Sequence, residues 1–463
     1  MPDRERFDAI IIGSGQSGTP LARTLAGAGW KVALVEREHV GGTCINEGCT
    51  PTKTMVASAH AAHLARRAED YGIRVGAVHV DMPAVRRRKR DIVEQFRSGN
   101  RQSLLEAGVE LLMGEGRFTG PQTVAVRLND GGGRLLEAEK IFINTGQRPR
   151  VPKIEGLEEV AYLDSTSVME LGEVPEHLLI VGGGYVGIEF AQMFRRYGSR
   201  VTVVQRSEQV LTHEDRDVAA AVVELLEEEG IEVLLEAEAE RVEAGEEDGV
   251  RLTLSLPEGE RLLTGSHLLI AAGRVPNTEA LDLDAAGVKT TDRGYIEANE
   301  RLETGVPGIY VLGDVKGGPA FTHISYDDFR VLRTNLLEGG ETSIAGRMIP
   351  YTVFMAPQLG RIGLTEKRAQ KQGLDYRVAR LEMSRVARAI ETGETRGFMK
   401  VLVDPEDDQI LGAAILGYQG GELSAMLEIA MLGNLPYTAL ENAIFTHPLL
   451  AESFNTLFAS LEE

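Results

Sequence analysis

FDAIIIGSGQSGTPLARTLAGAGWKVALVE, running from Phe7 to Glu36, decides how the chain folds. An apolar run gives way to Gly13-x-Gly15-x-x-Gly18, then to a small-residue helical pattern, then to a second apolar run, Val32 to Val35, ending on Glu36. Strand, glycine turn, helix and strand in that order predict a βαβ unit with a phosphate-binding turn. The glycines let the backbone approach a pyrophosphate, whose charge is met by unpaired N–H groups at the positive end of the helix. Glu36 stands 18 positions after Gly18, where a carboxylate accepts the two ribose hydroxyls of an adenosine.

The pattern recurs in HLLIVGGGYVGIEFAQMFRRYGSRVTVVQ, from His177 to Gln205, with Gly182-x-Gly184-x-x-Gly187 at its turn. A lone triplet also fits a plain tight turn, but both copies keep the flanking strands and helix, so two dinucleotides are expected. Gln205 holds the offset that Glu36 holds in the first copy. A carboxylate there would bond the 2′-hydroxyl of NAD and repel the 2′-phosphate of NADP. Neutral Gln205 followed by Arg206 offers one cation and no repulsion, which favours NADP(H). From about Ile349 the chain alternates extended runs (FMKVLVD, ILGAAILG) with helical ones (GELSAMLEIAMLG, LLAESFNTLFASL) and has no phosphate loop. The expected fold is α/β: two Rossmann-like domains, 1–150 with 271–347 and 151–270, followed by an α+β domain at 348–463.

Composition agrees with this plan. The 463 residues suffice for about three domains with cores of their own. The 49 Lys and Arg against 70 Asp and Glu give a net charge of −21, which repels polyanions and argues against nucleic acid as a partner. The charged start MPDRERFDAIIIG does not read as a signal peptide, and no stretch is apolar for long enough to span a membrane, so a cytoplasmic location is expected. The runs Arg86 to Arg90 and Glu227 to Glu229 read as solvated helix faces.

Cys44 and Cys49 are the only cysteines, in VGGTCINEGCTPTKTMVASAHAAHLARRA. Five residues apart on an ideal helix, their Cα atoms would lie roughly 8–9 Å apart, beyond the roughly 7 Å limit of a disulfide. A distorted helix start is therefore expected, with Gly48 and Pro51 supplying the distortion. Inert core thiols or half of a zinc site are the plainer readings. Zinc wants tighter spacing and a second ligand pair, and none is evident. A redox dithiol at a helix N-terminus, where the dipole stabilises thiolate, is the favoured reading, with no resident metal.

Gly41-Gly42-Thr43-Cys44-x4-Cys49-x-Pro51-x-Lys53 resembles the redox signature of the class I flavoprotein disulfide reductases, and nearly the whole chain takes part in the resemblance. Further matches are Thr145-Gly146 with Arg148-Pro149, Ala272-Gly273-Arg274 with Pro276-Asn277, and Gly313-Asp314. The resemblance implies FAD on the first glycine turn, Asp314 on the flavin side chain, and the backbone after Thr322 near the flavin ring. It also implies Lys53 at flavin N5 with Glu189 as its carboxylate partner, Cys49 as the thiolate facing the flavin, and Cys44 as the interchange thiol. Tyr185 resembles the aromatic residue that covers the nicotinamide pocket. Arg206 coincides with an arginine of NADPH-dependent members, although a second arginine expected six positions on is Thr212.

In the tail, His447-Pro448 followed by Glu452 matches the family's His-Pro-x-x-x-Glu motif, with Leu449 where threonine is usual. Proton transfer to a departing thiolate needs a group titrating near neutrality, held by a carboxylate. By resemblance His447 serves the other subunit of a homodimer. The expected activity is NAD(P)H-driven reduction, through FAD and a Cys44–Cys49 disulfide, of a small disulfide or thiol-reactive substrate. Mercuric ion reduction, dihydrolipoamide oxidation and a non-catalytic redox-sensing role remain open.

Overall fold

The computed structural model describes residues 4–246 and 249–461 and divides the chain into two compact units. The first gathers Met1–Thr54, Arg86–Arg150 and Gly273–Arg347; the second gathers Met55–Val85, Val151–Ala272 and Met348–Glu463.

In the first unit five parallel strands lie side by side in the order Glu110–Gly120, Val32–Glu36, Arg4–Ile12, Gly133–Ile143, Ile309–Val311. Strand Thr123–Leu128 runs antiparallel between the outer halves of Glu110–Gly120 and Gly133–Ile143. Side chains alternate between two cores. Ile10, Ile12, Ala33 and Val35 join Phe118, Val124 and Leu136 on one face. Ala9, Ile11, Val32 and Leu34 meet Leu21, Leu25, Leu104 and Leu332 of the covering helices Gly18–Gly27, Met82–Glu106 and Thr322–Leu337 on the other. A strand covered on both faces reads as an unbroken apolar run, which is why the sequence before Gly13 does not alternate.

The second unit repeats the scheme. Parallel strands His267–Ile270, His177–Val181, Arg200–Val204 and Ile231–Leu234 follow one another in that order. Leu178 and Ile180 face one core while Leu179 faces another. The tail forms a five-stranded antiparallel sheet in the order Tyr351–Val353, Gln358–Gly363, Ile410–Gly417, Phe398–Val403, Arg377–Glu382, packed against helices Gly420–Leu432 and Ser453–Ala459. No helix among the described residues is long and apolar enough to cross a membrane.

The motifs at the two chain crossings pair with each other inside the first unit. Gln147–Pro149 lies antiparallel to Arg274–Pro276. Arg150 N donates to Gly273 O at 2.9 Å and Asn277 N to Gly146 O at 3.0 Å. Thr145 and Asn277 exchange side-chain bonds of 2.8 and 2.9 Å with each other's carbonyls.

Both charge runs are largely solvated, with one residue of each turned inward. Lys89 is 4% exposed, because helical periodicity turns it inward with Val93 and Leu104. Glu229 accepts from Arg196 Nε and Nη2 at 2.9 and 2.7 Å and from Arg396 Nη1 at 3.1 Å, with the Arg196 and Glu229 side chains 4% and 9% exposed. Two arginines met only through tertiary folding draw that carboxylate inside.

Candidate functional site

The expected helix distortion is a break. Gly42–Asn46 and Cys49–Arg66 are separate helices, and Glu47, at φ −139°, leaves the helical region between them. Pro51 does not cause the break: it sits in the first turn of the second helix, where no intrahelical partner awaits its missing N–H. A Cβ on Gly48 would lie 3.0 Å from Thr43 O, so the turn closes tightly there.

The break brings the two cysteine side chains together, Cys49 being the more exposed. The hydrogen bond to Cys49, then burial, push the Cys44 thiol up, against opposing pulls from Thr322 and the Lys53 ammonium. Cys49 Sγ also lies 3.3 Å from Thr322 Oγ1.

This segment rests on the first glycine turn. Gly41 and Gly42 have φ of +110° and +62°, and a Cβ on Gly42 would lie 2.7 Å from Gly15 Cα. Ser14 Oγ donates to Glu36 Oε2 at 2.6 Å and accepts from Gly41 N at 3.0 Å, while Gln16 Nε2 donates to Gly41 O at 3.1 Å. A Cβ on Gly13, itself at φ +100°, would stand 2.3 Å from Asn144 O. The bare turn, the helix N-terminus behind it and the Glu36 carboxylate therefore fit the diphosphate and ribose of FAD. Asp314 lies in the short turn Gly313–Lys316, where burial pushes its carboxyl up and Arg274 and Lys316 pull it down.

In the second turn Gly182 has φ +121°, a Cβ on Gly187 would stand 1.9 Å from Gly182 O, and one on Gly184 would meet nothing within 4 Å. Gln205 Oε1 accepts from Gly183 N at 2.9 Å, as Glu36 Oε2 accepts from Ser14 N at 3.0 Å, so both side chains brace their own turns from the same offset. Arg206 is exposed beside it. Tyr185 opens helix Tyr185–Tyr197 and is 38% exposed.

His447 Nδ1 is 3.0 Å from both carboxylate oxygens of Glu452, and its side chain is 70% exposed. A hydrogen given from Nδ1 to Glu452 leaves Nε2 as the proton acceptor. Lys53 follows Cys49 by one turn in the first unit, and Glu189 in the second accepts from Phe354 N at 2.8 Å.

Sequence reasoning missed Asn144, Asp328, Lys316 and Arg347. Asp328, wholly buried, accepts from Gly313 N at 2.8 Å, Lys316 Nζ at 2.9 Å and Arg347 Nη1 at 2.8 Å. Only the adjacency of Asn144 to Thr145-Gly146 could have drawn attention to it.

Residues 7–328 match the family model described as pyridine nucleotide-disulphide oxidoreductase, and residues 349–458 match its dimerisation domain. The chain is 38% identical to the probable pyridine nucleotide-disulfide oxidoreductase RclA of Escherichia coli (strain K12), over 98% of this chain and 99% of that one. It is 35% identical to a mercuric reductase of Streptomyces lividans, over 96% and 94%. Among solved structures, the HOCl-induced flavoprotein disulfide reductase RclA from Escherichia coli aligns with a TM-score of 0.89 at 38% identity, covering 98% of this chain and 99% of that one.

Proposed function

The chain belongs to the pyridine nucleotide-disulphide oxidoreductases, FAD-dependent enzymes, and from that premise we propose that Cys44 and Cys49 are its electron-transfer pair, NADPH its preferred donor and a small disulfide its acceptor. The observation that carries this is the hydrogen-bonded pair of cysteine side chains seated on a glycine turn whose shape fits a dinucleotide. When bound, FAD supplies the two-electron carriage that no side chain offers.

The residues then divide the work. Reduction of the Cys44–Cys49 bond yields Cys44 as the thiol and, as the resemblance implies, Cys49 as the thiolate facing the flavin. Cys44, deprotonated by His447, attacks one sulfur of the substrate disulfide and releases the first thiolate, which His447 protonates. Cys49 attacks Cys44 in the mixed disulfide, releases the second thiolate, which takes up the H⁺ of the overall reaction, and restores the starting bond. The sum is NAD(P)H + H⁺ + RSSR → NAD(P)⁺ + 2 RSH. Glu452 holds the imidazole and stabilises its charged form. By resemblance Lys53 and the backbone after Thr322 serve the flavin, and Gly146 and Gly273 belong to the cofactor-binding motifs. Gln205 and Arg206 support NADPH because neither repels a 2′-phosphate.

A homodimer in which His447 completes the neighbouring subunit's site is part of the proposal. It is supported by the dimerisation-domain match and by helix Gly420–Leu432, which exposes Met426, Ile429 and Leu432 at 45%, 68% and 61%. A second reading, Hg(II) as acceptor, is favoured by the mercuric reductase relative, while a chain with two cysteines in all weakens thiolate capture of that soft ion.

Anaerobic titration of the holoenzyme with NADPH and with NADH separately tests the proposal. Two new thiols per chain should appear, more readily with NADPH, and none in Cys44→Ser. A panel of oxidised lipoamide, oxidised glutathione and Hg(II) then identifies the acceptor. If no disulfide reoxidises the protein, the disulfide-substrate reading is wrong.

A further inference from the structure

The first glycine turn carries a side chain that its repeat lacks. Asn144, the residue after strand Gly133–Ile143, is 6% exposed. Its Oδ1 accepts from Gly18 N at 2.9 Å, and its Nδ2 donates to Ser17 Oγ at 2.8 Å and to Leu312 O at 3.0 Å. Ser17 Oγ in turn lies 2.9 Å from Ser325 Oγ on helix Thr322–Leu337. Leu312 immediately precedes Gly313-Asp314, whose first amide is held by the buried Asp328. One primary amide thus spans the turn that meets a diphosphate and the turn that presents Asp314.

The internal repeat shows what the amide is not for. A Cβ on Gly13 would lie 2.3 Å from Asn144 O, and a Cβ on Gly182 would lie 2.4 Å from Ala271 O, so Asn144 and Ala271 hold the same place in the two copies. The second turn forms with alanine there. Burying an amide costs free energy unless it is bonded, and here three bonds offset that cost while linking two segments far apart in the chain.

We propose that Asn144 is a positioning residue for FAD: it locks the diphosphate-facing turn at Ser17 and Gly18 to the Leu312–Asp314 turn. Both are then set before the cofactor arrives. The inference rests on the reading of the first unit as the FAD site. A ligand that touches both turns loses less affinity to ordering when they are already joined.

The test compares wild-type and Asn144→Ala holoenzyme. FAD release is followed as regained fluorescence after dilution, and hydrogen exchange is read peptide by peptide. FAD should leave Asn144→Ala roughly tenfold faster. Peptides holding Gly18 and Gly313 should lose protection, while the peptide spanning Gly183 to Gly187 keeps it. Asn144→Asp retains the acceptor toward Gly18 and replaces the donor toward Leu312, so protection should survive at Gly18 and fall at Gly313. Wild-type release from Asn144→Ala overturns the proposal, as does protection lost equally across both glycine turns. Should Asn144→Ala fail to fold, the Asp variant decides alone, and equal protection at its two turns overturns the proposal. Wild-type protein that retains no FAD overturns the underlying reading of the unit, and the proposal with it.

Discussion

Gln205 braces the second glycine turn through Gly183 N, and a glutamate at the same place would keep that bond, as Glu36 does in the first turn. Gln205→Glu should therefore fold normally while adding a charge that repels a 2′-phosphate. The expected result is a fall of roughly ten- to hundredfold in kcat/KM for NADPH relative to NADH, read by steady-state kinetics with each donor. Single residues also mark the limit of what was legible. Glycines, cysteines and the His447–Glu452 pair announce themselves by short spacings. Asn144 does not, because its partners Gly18 and Leu312 lie 126 and 168 positions away and no local pattern requires an amide there.

Among the elements, the two helices flanking the cysteine break depend on Gly42. With φ at +62° and only 2.7 Å between a new Cβ and Gly15 Cα, Gly42→Ala should cost about 1–3 kcal/mol and weaken FAD retention. Gly27→Ala, where a Cβ meets nothing within 4 Å, should leave the melting temperature almost unchanged and serves as the control. Helix Cys49–Arg66 also carries His63, whose imidazole is pushed from its ordinary 6.5 to about 4 by burial and then by Arg196 and other neighbours. The folded protein binds this proton less readily than the unfolded chain. His63 thus favours the fold fully above pH 6.5, and that contribution is lost as pH falls toward 4. His63→Gln should flatten the dependence of denaturation midpoints on pH across that window. The spacing of the two cysteines foretold a distortion between them beside Gly48, but not that it is a full break at Glu47 in which Pro51 has no part.

For the whole molecule, the βαβ repeat and the α+β tail were readable because buried strands and glycine turns are local signals. The grouping of Met55–Val85 with the second unit was not, since it is decided by which core Met55, Ala59 and Met82 enter. The same holds for Glu229, drawn inward by Arg196 and Arg396 from distant stretches. Glu229→Ala leaves both guanidinium groups without that carboxylate. The expected loss is about 3–5 kcal/mol in a chemical denaturation experiment, and a loss under 1 kcal/mol would show the cluster to be hydrated and weak. The ribbon joining Gln147–Pro149 to Arg274–Pro276 has a different bearing. Because it stitches residue 150 beside residue 273, everything threaded between them starts and finishes at one doorway. Its length therefore imposes no spacing on the first unit, and what constrains it is the core it shares with Met55, Met82 and Phe398 in its own unit.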